Sequence, residues 1–288
     1  MSGSMRANVG GKAMHVWWDE NADGAANMGA DEFLASAALA SGSLLVRLYG
    51  WSSTTVSLGA FQKLEDAQAC AEINGVPLVR RPSGGGAIVH GSDLTYAAAV
   101  PKAHPWGASP QRLYDAMHRA MADTLREHGI IATLYATPPN RSLSPRIDSR
   151  GIQPEPFFCF DRRAPGDLVV QVDDVARGQQ TVKIMGSAQR RMAGTVLQHG
   201  SLLLHRNTGV TGKACHPGLF DLVASGLNAG VPGGIPNDKE LLRRWLEAVA
   251  LSHGGTLEEQ SGSFRQTAIR EIDEFSDGFR EDRWTGRR

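Results

Sequence analysis

Arg80-Arg81-Pro82-Ser83-Gly84-Gly85-Gly86-Ala87-Ile88-Val89-His90 joins two guanidinium groups, three consecutive glycines and an imidazole in one short run. Glycine has no Cβ, so it reaches positive φ and lets another molecule approach the backbone closely. Arginine adds planar, charge-assisted donors suited to a carboxylate or phosphate. A flexible turn with two surface arginines would show the same composition, so the run gains meaning only beside a second one. That second run is Lys183-Ile184-Met185-Gly186-Ser187-Ala188-Gln189-Arg190-Arg191, followed by Gln198-His199-Gly200-Ser201. Two polar, glycine-punctuated segments set among apolar strands predict one shared pocket.

The elements that must position these residues are legible from periodicity. Apolar spacing behind a candidate cap at Asn27 predicts a helix to about Ala40, and Leu44 to Tyr49 and Thr54 to Leu58 read as strands. Lys63 to Asn74 has helical spacing and stops at Gly75. Pro77 to Arg80 then enters the glycine run as a strand, while Ala87 to His90 and Leu94 to Val100 leave it as two more. Pro110 to His128 is the clearest amphipathic helix, with Leu113, Met117, Met121 and Leu125 four apart; His118 and His128 read as its solvated residues. Ile130 to Tyr135, Asp167 to Val172, Thr181 to Ile184, Thr195 to Gln198 and Leu202 to His205 read as further strands. Thr137 to Pro156 is a long loop rich in proline, serine and arginine, and loops of that length are commonly functional or disordered. Helices are expected near Leu219 to Ser225, Asp238 to Ser252 and Phe264 to Phe275. Residues 1–14 are glycine-rich and read as disordered, 15–225 as the main folded domain, and 226–288 as a helical C-terminal extension. Strands and helices lack regular alternation, and neither a dinucleotide-binding nor a P-loop glycine fingerprint is present. The pattern predicts an α+β fold with a mixed, largely antiparallel sheet flanked by helices.

The 288 residues are 41% hydrophobic and 21% charged, enough apolar material for one large core. Thirty basic residues balance thirty acidic ones, which argues against a nucleic-acid partner. No apolar run has the length of a membrane span, so neither a membrane partner nor a signal peptide is expected and the cytoplasm is the expected location. Cys70, Cys159 and Cys215 are too few and too scattered for a disulfide framework or a zinc cluster, and no metal site is expected.

Arg80 to His90 with Leu94-Thr95-Tyr96, Lys183 to Gln189, and Gln198 to Ser201 resemble three ordered motifs of the lipoate-protein ligase and octanoyltransferase family, within the biotin and lipoate ligase superfamily. Asn27 to Glu32, Tyr49-Gly50-Trp51, Ser57-Leu58-Gly59 and the closing Trp284 to Arg288 extend the likeness. The resemblance implies that family's catalytic fold and an enzyme that places an acyl chain on one lysine of a lipoyl-domain protein. The acceptor would be a glycine-cleavage H-type protein or the E2-type subunit of a 2-oxoacid dehydrogenase.

Two branches are implied. In one, ATP and Mg activate lipoate as an adenylate; in the other, a cysteine takes octanoyl from acyl carrier protein with no cofactor. Cys159, in Phe157-Phe158-Cys159-Phe160-Asp161, resembles the nucleophile of the cysteine-using octanoyltransferases. A thiolate is intrinsically nucleophilic, and Lys183 is the candidate cation that favours it and orients the acyl carbonyl. A cysteine between phenylalanines is otherwise ordinary packing. Arg80 and Arg81 are expected to position the loop or a polar end of the substrate, and Ser83, Gly84, Gly85 and Gly86 to wall the acyl chain. His90, Gly186, Ser187, Ala188, Gln198 and His199 complete the expected binding residues, with the histidines chiefly as scaffold. A silent binder of lipoyl or carrier proteins is the third reading.

Overall fold

The structure is a computed structural model describing residues 12–136, 147–148, 151–152, 155–174, 178–227 and 238–287. Its first half runs β1 (Lys12–Trp18), α1 (Gly24–Ser41), β2 (Leu44–Tyr49), β3 (Thr55–Leu58), α2 (Leu64–Gln68), β4 (Leu78–Arg80), β5 (Ile88–His90) and β6 (Asp93–Pro101). Next come α3 (Pro105–Ala108), α4 (Pro110–Glu127), β7 (Ala132–Leu134), β8 (Ile147–Asp148), β9 (Gly151–Ile152), β10 (Leu168–Asp174), β11 (Gly178–Arg191) and β12 (Thr195–Leu203). The last elements are α5 (Leu219–Leu222), α6 (Asp238–His253), β13 (Gly255–Glu259), α7 (Phe264–Thr267), α8 (Ile269–Arg280) and α9 (Asp282–Thr285).

An eight-stranded sheet has the order β13-β1-β2-β6-β12-β11-β10-β7, and β4-β3-β5 form a second, three-stranded sheet. Only β13/β1, β1/β2 and β3/β4 pair in parallel among these strands; the other pairs are antiparallel. This is the mixed, helix-flanked architecture that the sequence predicts.

Alternation of side chains along each strand splits the core between two faces. Leu44, Val46, Leu48, Tyr96, Ala98 and Val100 face one cluster with Leu113, Met117 and Met121 of α4 and Leu242, Trp245 and Leu246 of α6. Leu45, Tyr49, Ala97, Ala99 and Leu197 face the other, with Leu34, Ala35 and Ala38 of α1 and Ile272 and Phe279 of α8. Covered on both sides, β2, β6 and β12 read as nearly continuous apolar or small-residue runs rather than alternating ones. The Trp245 indole N–H donates to Met117 O at 2.8 Å and joins α6 to α4.

Several elements differ from expectation. Helix α1 begins three residues before Asn27: Asp23 is the cap, its Oδ1 accepting from Ala26 N at 2.8 Å, because a carboxylate there satisfies an otherwise orphaned helix N–H. Asn27 lies inside the helix and donates instead to Ala22 O and Gly50 O. The helix expected over 63–74 stops at Gln68 and resumes as a single 3₁₀ turn. The two strands expected around Gln198 to Ser201 are one, and β11 continues from Gly178 through Lys183 to Arg191, so both polar motifs are paired backbone: Gly186 opposes Ser201 and Ala188 opposes His199. β1 starts at Lys12, inside the stretch expected to be disordered; residues 1–11 lie outside the described residues, as does most of the 137–156 loop. The segment 226–288, read as a helical extension, also supplies β13 to the large sheet and α6 to the main core.

Helices α1 and α8 meet at Gly29, where a Cβ would lie 2.2 Å from Ser276 Oγ and 2.8 Å from its Cα. Backbone cannot yield there as a flexible side chain would. Gly29→Ala is expected to destabilise the fold by about 1–3 kcal/mol, read from the shift of the urea midpoint.

Candidate active site

A cavity of about 460 Å³, counting its open mouth, lies between the two sheets. Met28, Tyr49, Trp51, Ile88 and Ala188 give it apolar walls; Arg81, Gly85, Cys159, Gly186, Ser187 and His199 bring polar groups and bare backbone to it. The two motif regions and the cysteine segment therefore converge, as their shared character predicts.

Cys159 sits at the start of a 3₁₀ turn, and its backbone is pinned to the glycine loop. Cys159 N donates to Ala87 O at 2.8 Å and Ala87 N donates to Phe157 O at 2.9 Å. A Cβ on Gly86 would fall 2.8 Å from Cys159 N and 2.9 Å from Phe157 O, so only glycine allows this approach.

Lys183 of β11 brings its ammonium to this point. Nζ lies 3.5 Å from Cys159 Sγ, 3.3 Å from Cys159 O and 2.9 Å from Asp167 Oδ2, and both ends of the ion pair are buried. Two features hold the lysine. The register shift between Leu168 and Val169 sets Asp167 beside it, and Gly186 leaves room for it, since a Cβ there would meet Lys183 Nζ at 2.7 Å. Asp167 is itself held by Tyr114 OH at 3.1 Å and Ala164 N at 2.7 Å. Burial, with the Asp167 charge beside it, drives the Tyr114 phenol far above its usual range, so it stays a neutral donor.

The arginines turn inward onto the loop. Arg81 donates to Ser57 O, Gly84 O and Gly86 O at 2.7–2.8 Å and to Ser57 Oγ at 3.1 Å. Burial, unrelieved by a carboxylate partner among the described residues, lowers its pKa to about 10. Arg80 donates to Gly59 O, Gln62 O and Thr285 O, outside the cavity. Both hold the loop, one of the two roles expected of them, and Arg81 also lines the cavity. Ser83 is buried behind the loop, and of the three glycines Gly85 lines the cavity.

The histidines are braced. His90 sits between Asp93 Oδ2 and Ser57 Oγ, both at 2.8 Å, and stacks on Trp51 with ring centroids 3.9 Å apart. Its partner Asp93, despite burial, is held below the usual carboxylate range by His90 and by hydrogen bonds from Ser201 and Thr95. His199 Nδ1 meets Asp31 Oδ2 at 2.9 Å; Arg47 and Tyr49 OH bind the same carboxylate at 2.7 Å. Burial works against the Asp31 charge, yet the His199 hydrogen bond and Arg47 hold its pKa low.

Gln198 lies off the cavity, because its side chain projects to the opposite face of β12 from His199. Its amide donates to Tyr96 OH at 2.6 Å and accepts from Gln189 Nε2 at 2.7 Å.

His118 is the residue that sequence reading missed. Placed among solvated helix residues, it is in fact fully buried: Nδ1 donates to Gly166 O and Nε2 accepts from Ser187 Oγ, each at 2.7 Å. Its spacing carried the signal, since it directly follows the core residue Met117 on the apolar side of α4. Burial, countered by the Gly166 carbonyl and reinforced by the Lys183 charge, lowers its pKa to about 3. It is therefore a neutral wall that ties β11 to the turn carrying Asp167.

Among the described residues no group of three or more His, Cys, Asp or Glu side chains is placed to hold a metal, and no helix is long and apolar enough to cross a membrane.

A strand-bound lysine beside a cysteine and a glycine loop thus faces one open cavity with apolar walls. The lipoyl protein ligase A/B catalytic domain model matches residues 23–223, more than half of the chain, and the protein belongs to that family. Relatives named octanoyltransferase LipM include those of Anoxybacillus flavithermus, 36% identical over 166 residues (56% of this chain, 54% of the relative), and Macrococcus caseolyticus, 35% identical over 182 residues (62% and 60%). The chain thus matches little more than half the length of these curated relatives. The Ta0514 protein of T. acidophilum, solved with bound lipoic acid, superposes with a TM-score of 0.65 at 16% identity, covering 95% of this chain and 99% of that one. A lipoate-protein ligase A bound with ATP gives 0.64 at 16% identity, with 95% and 98% covered. At that identity the two structures share the fold.

The buried neutral His118 makes stability pH-dependent. Unfolded, it takes a proton near its ordinary 6.5; folded, only near 3. In that window the unfolded state binds the extra proton, so stability falls as pH drops, by about 1.4 kcal/mol per unit at most. Urea unfolding from pH 7.5 down to 4 is expected to show a shallower slope in His118→Asn than in the wild type.

Proposed function

We propose that this protein transfers an octanoyl group to a specific lysine of a lipoyl-domain protein, taking it from octanoyl acyl carrier protein through a thioester on Cys159. The observation that carries this reading is the 3.5 Å contact between Lys183 Nζ and Cys159 Sγ at the wall of the apolar cavity. The octanoyltransferase name of the relatives supports octanoyl as the group transferred.

The Lys183 ammonium at this distance is placed to hold the sulfur as charge moves onto and off it during transfer. The Cys159 thiolate attacks the carrier's thioester carbon; the new C–S bond forms as the old one breaks, and the carrier sulfur leaves with its electron pair and takes up the proton that Cys159 gave up. The neutral amine of the acceptor lysine then attacks the same carbon. The C–N bond forms, the Cys159 sulfur leaves, and the proton shed by nitrogen returns to it. The first exchange is nearly balanced in energy, and the amide draws the second forward. Asp167 keeps the ammonium in place, while Arg81 and His90 fix the loop beside it. Burial of the chain contributes roughly 0.8 kcal/mol per methylene.

The ATP-dependent ligase reading fits less well. In a ligase Lys183 would face a carboxylate and then an adenylate phosphate. Here its ammonium is directed at Asp167 Oδ2, Cys159 O and Cys159 Sγ, three acceptors for three N–H bonds. The acceptor is of the lipoyl-domain class; a bipartite lipoate protein ligase of Thermoplasma acidophilum with the same fold has been analysed with its E2 lipoyl domain.

Intact mass measured after mixing with octanoyl carrier protein and no ATP is expected to show one acyl group on the wild type and none on Cys159→Ala. Lys183→Met is expected to slow acylation by about 100-fold or more. Activity that requires ATP and survives Cys159→Ala would instead establish the ligase.

A further inference from the structure

Arg80 and the last described helix are joined by hydrogen bonds that the chemistry above does not use. Arg80 is fully buried, and its guanidinium acts as a template for three carbonyls: Nε donates to Thr285 O at 2.9 Å, and Nη1 to Gly59 O at 2.9 Å and Gln62 O at 2.6 Å. In return the Trp284 indole N–H donates to Arg80 O at 2.8 Å. Trp284 is fixed edge-on against Phe279 of α8, with centroids 5.0 Å apart, and Arg287 covers its face at 3.5 Å.

The link continues to the nucleophile. Gln62, whose carbonyl Arg80 holds, accepts from Gly59 N through Oε1 at 2.9 Å and donates through Nε2 to Phe157 O at 3.0 Å. Phe157 O also receives Ala87 N, and Ala87 O receives Cys159 N. The path from the C-terminal helix to the reactive segment thus runs Trp284 and Thr285, Arg80, Gln62, Phe157, Ala87, Cys159, with a hydrogen bond at each step.

We propose that Trp284 and Thr285, through Arg80 and Gln62, are positioning residues that set Cys159 against Lys183. Arg80 is buried while its tail contacts are part-buried, so losing one leaves an Arg80 polar group incompletely satisfied, and the strand that carries it can shift together with the 59–62 carbonyls its guanidinium holds. Gln62 moves with that loop and carries Phe157. The sulfur position is sensitive because Nζ lies 3.5 Å away with two other acceptors competing for it. A tail that merely glued the domain together would change stability and leave the acylation rate per folded molecule unaltered.

The inference rests on the acyl-transfer reading of Cys159, and the test separates the two. Trp284→Phe keeps an aromatic ring, though a smaller one, and deletes the indole N–H; Gln62→Met keeps the length and deletes the amide. Single-turnover acylation by octanoyl carrier protein is expected to slow about ten-fold in each at saturating donor, with the half-saturating donor concentration unchanged. The double variant is expected to be no slower than about two-fold beyond the slower single, because both substitutions cut one path. Backbone hydrogen exchange over 157–161, read without substrate, is expected to quicken in both. Unchanged rates, a rise only in half-saturation, or multiplicative losses in the double variant would overturn the proposal. If the wild type itself is not acylated, the acyl-transfer reading falls; exchange then decides the positioning link alone, and unchanged exchange over 157–161 would overturn it.

Discussion

A buried ammonium cannot stand without a counter-charge, and the answer to that constraint at Lys183 organises the site. Asp167 supplies the charge, at the head of β10, and the bulge that follows lets its carboxylate meet a lysine that regular pairing would set elsewhere. With the ammonium neutralised on one side, its remaining hydrogens are free to face Cys159. Tyr114 and His118 then close the back of the pair with neutral groups, leaving Asp167 as the carboxylate that answers the ammonium. The ion pair thus acts less as a stabiliser than as a placing device, since buried pairs seldom repay their desolvation by much.

The glycine loop applies the opposite strategy. Among the described residues Arg81 is buried with backbone carbonyls and a hydroxyl as its hydrogen-bond partners, an arrangement that costs stability but ties the loop together. The turn over 82–87 is wrapped around a guanidinium, and Cys159 is hung on its far side through Ala87. Rigid walls of this sort let an apolar chain bind without reorganising its host.

Much of this was legible in the sequence. The strand-rich reading, the convergence of the Arg80 and Lys183 regions and the pairing of Cys159 with Lys183 all follow from residue types whose roles are local or from the resemblance. What escaped was set by tertiary contact. Of the two roles expected of Arg80 and Arg81, holding the loop is the one their hydrogen bonds display, but which carbonyls surround them is not written in a sequence. His118 looked solvated because a histidine on an amphipathic helix is usually at the surface, and its partners Gly166 and Ser187 are far along the chain. Asp167 and Gln62 carried no motif at all. The start of α1 moved to Asp23 because two good capping residues, Asp23 and Asn27, stand a turn apart, and only Asn27 had a second use in holding Gly50.

The large sheet is closed at one side by β13 lying parallel beside β1, strands from opposite ends of the described chain. Pairing so remote in sequence gains no local reward before it is complete, so the entropy of joining those ends is overcome last. During folding, β1 must therefore wait beside β2 with its outer edge bare, and that edge is the place where a half-folded molecule would most readily capture a neighbour.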